Sequence, residues 1–362
     1  MLRRAFVVAI ALLCSAAVSS GAEPSLEELP ENPSQGQREC TMDDLLPDHE
    51  WDGDFGEMWD PDTLVHPPFD CSCYTLKASY FCPHLGHEGY PKWTPRAISA
   101  GTCRPVSREL FKTEPFPPDF KILFYGNSHL RQVVEGIVCM YSHSVQNRRV
   151  TLVDDSSHIT EDVMVGPEIQ CRGCVNHKHA MHNVLESNGC FDGFGTGADR
   201  ACSCYDNRGV FQFDNGATMH YHFAHTETSK RLEDAIRVHG TGFEDYDMVV
   251  ANPGNDPPVS AEELLRSAND LKKEGVPLIW LSTYDGVGNV DHWSDEQRAE
   301  FKESGAKFVP IHRMVESLKY LTKGVVEGEH NPHFCMPGPP NEIGIVLLKA
   351  AWAMQAASER GG

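Results

Sequence analysis

From about Asp119 to the C-terminus, short β-branched and aromatic runs alternate with longer stretches of helical periodicity. Strands are expected at Ile122–Tyr125, Val150–Val153, Tyr246–Ala251, Leu278–Ser282 and Phe308–Ile311. Helices are expected at His129–Tyr141, Ser260–Glu274, Ser294–Glu303 and Asn341–Ala357. Ser260-Ala-Glu-Glu263 and Ser294-Asp-Glu-Gln297 both have capping-box spacing, in which the Ser side chain and the acid or amide three residues on satisfy each other's free N–H groups. Strand–helix alternation predicts a mostly parallel sheet covered by helices on both faces. Within it, Val210–Asp214 and Thr218–His225 flank Asp214-Asn-Gly216, a turn sequence that predicts an inserted hairpin.

The first of these units carries chemistry. Lys121-Ile-Leu-Phe-Tyr125 is followed directly by Gly126-Asn-Ser128 and then by an amphipathic helix. A hydroxyl at the carboxyl end of a parallel strand stands where α/β sheets bind ligands, which nominates Ser128 as a nucleophile. Gly and Ser after a strand also describe an ordinary turn. A second segment, His330-Asn-Pro-His333-Phe-Cys335-Met-Pro-Gly338-Pro-Pro340, follows the last predicted strand and is expected at the same sheet edge. Imidazole is the side chain best suited to take a hydroxyl proton near neutral pH, so His333 is the matching base. The alternative is a loop histidine packed among prolines.

The N-terminus reads as a secretory leader. Arg3 and Arg4 precede an apolar stretch from Ala5 to Val18, and Ser20-Gly-Ala22 offers a small-residue cleavage site. An uncleaved anchor is the alternative, although the apolar stretch is short for a span of ~20 residues. No later stretch is long enough to cross a bilayer. One of the 13 cysteines, Cys14, falls inside the leader. The even number that remains, in an oxidising route, favours disulfides. A formal net charge of −21 argues against nucleic acid and anionic membranes as partners. The expected organisation is a signal peptide at 1–22, an acidic, loosely packed linker at 23–68, a Cys-rich subdomain at 69–118 and the α/β domain at 119–357.

Taken together, the two blocks resemble a known family. Ser128 is followed by Arg131, Glu135 and Cys139 at offsets similar to the Gly-Asp-Ser block of the plant trichome-birefringence-like and related PC-esterase proteins, a branch of the GDSL/SGNH hydrolase superfamily. His333-Phe-Cys335-Met-Pro-Gly338 resembles the same family's His-Trp-Cys-Leu-Pro-Gly block. Val309-Pro-Ile-His-Arg-Met314 is similar to the stretch before it, and Trp93-Thr-Pro95 with Cys103 to the Cys-rich segment upstream. The resemblance covers roughly residues 90–350, strongly at its ends and poorly between. It implies an SGNH-type three-layer α/β/α sandwich and acyl-ester chemistry on glycans in the secretory pathway, as O-acetyltransferase or acetylesterase. Ser128 would form the acyl-enzyme, His333 would act as base and then acid, and the Ser128 amide would supply part of an oxyanion hole. The implied partners are a glycan or other acyl-ester substrate and an acetyl donor, in the Golgi lumen or outside the cell. No cofactor and no metal are implied.

Three positions depart from the family pattern. Asn127 replaces the Asp beside the nucleophile, where an amide can make similar turn hydrogen bonds. His330 stands where the acid that orients the catalytic His belongs; in a serine protease an amide at the equivalent acid lowers turnover ~10⁴-fold. Glu329 or Glu327 would have to act from a shifted position, or Ser128 and His333 would work as a dyad. In Tyr246-Asp-Met-Val-Val-Ala-Asn252-Pro-Gly254-Asn255-Asp256, Asn255 is one residue out of the superfamily register and Asp256 takes its place. Gly254, Asn255 and Asn252 are therefore the oxyanion or substrate candidates. These departures keep open a rival function, a catalytically impaired glycan-binding protein on the same fold.

Other clusters carry weaker readings. Cys171 and Cys174, with His177, His179 and His182, have zinc-ligand chemistry, but Cys190, Cys202 and Cys204 offer disulfide partners instead. His220 and His222 share one face of a predicted strand and read as a half-exposed surface rather than a metal site. Asp291-His292 suits a proton shuttle or a helix cap. Arg131 is placed to hold substrate or an acid of the site, or to form an intrahelical pair with Glu135. Cys139 and Cys335 read as structural cysteines.

Overall fold

Buried side chains alternate along the central strands of the computed structural model, and that alternation builds the core on both faces of one sheet. The structure describes residues 38–46, 58–59, 90–91, 100–104, 114–126, 128–141, 144–153, 159–164, 208–223, 232, 236, 241–252, 261–284, 289–290, 295–309, 311, 334 and 338–361. The elements in chain order are β1 (Arg38–Glu39), α1 (Met42–Leu45), β2 (Cys103–Arg104), β3 (Lys121–Gly126), α2 (Ser128–Met140), β4 (Val145–Val153), β5 (Ile159–Met164), β6 (Arg208–Phe213), β7 (Thr218–Phe223), β8 (Met248–Asn252), α3 (Ala261–Lys273), β9 (Leu278–Leu281), α4 (Asp295–Glu303), β10 (Lys307–Val309) and α5 (Pro339–Gly361).

Eight strands form the main sheet in the order β10-β9-β8-β3-β7-β6-β4-β5. The five from β10 to β7 pair in parallel. The three remaining ladders, through β6, β4 and β5, are antiparallel. The α/β class and the mostly parallel sheet thus match the expectation. One strand departs from it: Val150–Val153 belongs to β4, which pairs antiparallel with both its neighbours. The predicted hairpin is β6–β7, closed by Gly216 at φ +86 with the Gly216 amide donating to the Phe213 carbonyl at 3.0 Å. A side chain there would also strike the Asp119 carboxylate, so the turn requires glycine.

On β3, Ile122 and Phe124 face a cluster with Leu130, Val133, Val134, Ile137 and Val138 of α2 and the buried face of α5. Leu123 and Tyr125 face the opposite cluster, with Ala268 and Leu271 of α3 and Phe301 of α4. The α2 positions fall at i, i+3, i+4, i+7 and i+8, one stripe of a helix. Each fully buried side chain of this size contributes about 1.5–3 kcal/mol. Helices α2 and α5 run the same way past each other: Gly136 lies against Asn341, and Gly344 against Ile137 and then Met140.

Residues 38–46 lie inside the stretch expected as a loosely packed linker, and they are folded. Leu45 and Leu46 are fully buried, and α1 packs on α5. Thr41 and Asp44 form a reciprocal capping box, and Arg38 grips the Asp44 carboxylate with both guanidinium branches at 2.6 and 2.7 Å. That guanidinium holds the Asp44 carboxyl well below the usual carboxylate range. Asp43 pairs with Lys307 on β10. A Cys40–Cys103 disulfide closes 63 residues of chain, a constraint worth roughly 4 kcal/mol against the unfolded state. Phe116, near the end of the expected Cys-rich subdomain, packs in the same cluster as β3, and Trp352 Nε1 of α5 donates to the Pro115 carbonyl at 3.2 Å. The main core therefore begins before residue 119. The leader and the capping residues Ser260 and Ser294 lie outside the described residues. Among those described, no helix is long and apolar enough to cross a membrane.

Candidate functional site

Taken in chain order, the parallel strands β3, β7, β8, β9 and β10 are arranged 2-1-3-4-5. This doubly wound order reverses direction between its first and third strands, and the crevice outside their carboxyl ends is where such sheets bind ligands. Here that place is the end of β3 and β8, where Gly126 is in register with Asn252. A Cβ at 126 would collide with the Asn252 carbonyl and come within 2.8 Å of Leu130 Cδ2. Glycine lets the two strand ends close up before the chain turns into α2. The first residue of α2 is Ser128, so its main chain belongs to the free N–H groups and positive end of that helix.

One turn into α2, Gln132 is fully buried. Its Nε2 donates to the Phe334 carbonyl at 2.7 Å, and its Oε1 accepts from the Phe334 amide at 3.3 Å. A single side chain thus pairs with both main-chain polar groups of a residue 202 positions away. Phe334 is the neighbour of His333, and its own side chain is buried in the core. The contact sequence Gln132–Phe334, Gly136–Asn341, Ile137–Gly344 keeps one direction along both chains. Phe334 and the start of α5 therefore lie along α2 in the same order. Its entry is tied by Asn341 Oδ1, which accepts from the Gly338 amide at 3.0 Å, with Pro339 and Pro340 opening the helix where no N–H is needed. The Ser128 side chain, His333, His330, Glu327, Glu329, Gly254 and Asn255 lie outside the described residues.

Asn252 is described, and its amide is committed elsewhere. Buried at the end of β8, it donates both Nδ2 hydrogens, to the carbonyls of Leu281 at 3.1 Å and Ser282 at 3.0 Å. Nothing is left to donate to a developing oxyanion, so Asn252 leaves the set of oxyanion donors expected from the sequence. Its role is to join the ends of β8 and β9. Its Oδ1 has no donor among the described residues.

Arg131 is buried at 3% exposure and engaged in the interior rather than extended toward solvent. A guanidinium there must be compensated by hydrogen bonds or an opposite charge. Glu342, in the first turn of α5, is the only buried acid among the described residues. Gln132 and Glu342 were not singled out from the sequence. Gln132 had a usable signal, standing at i+4 from Ser128 on the same helix face. Glu342 reads simply as an acid suited to a helix N-terminus.

His220 and His222 share a face of β7 as expected, but they are buried at 6% and 1% exposure rather than half-exposed, with Tyr246 and Tyr125 packed against them. His222 stacks on Tyr125. His220 Nδ1 lies 2.8 Å from the Tyr246 hydroxyl, which lies 2.9 Å from Thr241 Oγ1, which donates to the Ile236 carbonyl at 3.1 Å. A carbonyl can only accept, so one proton arrangement completes all three bonds: Tyr246 donates to Thr241, and His220 donates from Nδ1 to Tyr246. Burial, with help from the Lys121 charge, lowers the His220 pKa to about 4, and burial pushes that of Tyr246 up to about 12. Among the described residues no cluster of His, Cys, Asp or Glu is placed to hold a metal ion, and Cys171 to His182 and Asp291-His292 lie outside them. Protein-family models, curated proteins and solved structures give no significant match to this chain.

Proposed function

We propose that this chain is an acyl-ester enzyme of the secretory pathway, an O-acetyltransferase or acetylesterase acting on glycans through Ser128 and His333. The observation that carries the reading is the reciprocal pair of hydrogen bonds between Gln132 and Phe334. It ties the helix that opens with Ser128 to the residue beside His333, at the crevice where a sheet of this order binds ligands. The SGNH-like sandwich is the finer fold reading. It is supported by α2 and α5 in one core cluster and α3 and α4 in the other. The Cys40–Cys103 disulfide suits an oxidising, lumenal or extracellular location.

In this reading His333 takes the Ser128 proton as Oγ attacks the acyl carbonyl. The oxyanion forms against the Ser128 amide at the positive end of α2, with Gly254 and Asn255 as further donors. His333 then protonates the departing hydroxyl and an acyl-Ser128 remains. Water resolves it in an esterase, a sugar hydroxyl in a transferase. Glu329 or Glu327 supplies the acid behind His333.

The test is incubation of the mature protein with p-nitrophenyl acetate and with a fluorophosphonate probe, alongside Ser128→Ala. Turnover and labelling that vanish in the variant support the enzyme. If the parent neither turns over nor labels, the enzymatic reading fails. His330, in the place of the orienting acid, then favours the second reading, a glycan-binding protein whose oligosaccharide affinity Ser128→Ala leaves unchanged.

A further inference from the structure

We infer that Gln132 is the positioning residue that sets His333 against Ser128, an inference that rests on the proposed Ser–His chemistry. Three constraints meet at Phe334: its carbonyl accepts from Gln132 Nε2, its amide donates to Gln132 Oε1, and its ring is buried in the core. A peptide group is planar, and neighbouring Cα atoms lie ~3.8 Å apart across a trans bond. Holding the Phe334 amide therefore restrains the peptide that begins at His333.

The other end of the device is equally short. Gln132 is four residues from Ser128 on the same face of α2, ~6 Å along the helix. One rigid turn and one side chain separate the nucleophile from the backbone next to its base. The residue type follows from the task, since fixing an N–H and a C=O of one residue requires an acceptor and a donor on one planar group. The carboxamide supplies both without titrating. It does so dry, at 0% exposure, where a lost bond is not replaced by water. Gln132 reaches neither substrate nor reacting atom in this scheme; it acts through Phe334.

The test uses the full mature chain and two substitutions. Gln132→Met keeps the volume and removes both bonds. Gln132→Glu keeps the acceptor, and only its protonated form restores the donor. A base displaced by about 1 Å costs about 10²-fold in rate, so Gln132→Met is expected to lower kcat and fluorophosphonate labelling by about that factor with KM little changed. The activity of Gln132→Glu relative to parent should rise as pH falls from about 8 to about 5, as its carboxyl regains a proton, while the Gln132→Met ratio stays flat. If Gln132→Met does not fold, the pH ratio of Gln132→Glu decides alone, a rise supporting the inference and a flat ratio overturning it. Parent-like kcat and labelling in a folded Gln132→Met, whatever its melting temperature, overturn the positioning role and leave the Ser–His reading standing. A parent chain without turnover or labelling overturns both.

Discussion

Two buried polar groupings flank the middle of the sheet, and they are built from different chemistry. At the carboxyl edge, Gln132 and Asn252 bond only to main-chain atoms: Phe334 in one case, Leu281 and Ser282 in the other. On the face of β7, His220, Tyr246 and Thr241 bond side chain to side chain before reaching the Ile236 carbonyl. Carboxamides do not titrate, so the first grouping holds its geometry at any pH and fixes where strand ends and loops lie. The second contains an imidazole that must stay neutral, so its stability depends on pH. The first has the character of a positioning frame and the second of a pH-limited brace.

The largest expected effect breaks the frame's purpose. Ser128→Ala should lower esterase turnover by at least about 10³-fold, read with p-nitrophenyl acetate, without moving the melting temperature by more than a degree or two. Next comes the brace. Folded His220 takes a proton only near pH 4, against 6.5 ordinarily, so between these values the unfolded chain binds the proton that the folded chain refuses. Stability should fall by about 3 kcal/mol as pH drops from about 6.5 to about 4. Urea midpoints against pH should show this slope in the parent and a flatter one in His220→Gln.

A smaller effect separates the two regions sterically. Gly126→Ala forces a methyl onto the Asn252 carbonyl and should cost about 2–3 kcal/mol while spreading the edge that carries Ser128. Activity should then drop further than stability alone explains. The smallest effect is Tyr246→Phe, which leaves the His220 Nδ1 hydrogen without its acceptor and should cost about 1–2 kcal/mol. Turnover near neutral pH should stay at the parental level. A large loss there would join the two regions and sink the comparison.

Much of this architecture is legible in the residues. The short continuous apolar runs of β3, β8 and β9 and the stripe from Leu130 to Val138 name strands and helix directly, because burial on both sheet faces gives unbroken runs and burial of one helix face a period of 3.6. Asp214-Asn-Gly216 names its turn because Gly216 needs a positive φ. Residues 38–46 were missed for a physical reason. The acidic, proline-rich surroundings hide two leucines that pack with distant α5 and one cysteine whose partner is 63 residues away. The sequence leaves Asn252 open because a strand-end asparagine looks the same whether it donates to a ligand or to the neighbouring strand. His220 and His222 share the expected face, but the tyrosines that pack on them, Tyr246 and Tyr125, lie on other strands and segments that the strand's own pattern does not name.

By itself, the sequence determined the element types, the glycine that ends β3 just before α2, and the acidic charge. Local sterics and burial periodicity encode these within a few residues of chain. Only the tertiary structure decided that β3 and β8 meet at the reversal of strand order, that Gln132 grips the residue beside His333, and that Asn252 has no hydrogen left to give. Those depend on which strand ends and loops come together across 29 to 202 residues of chain, and no local pattern records that.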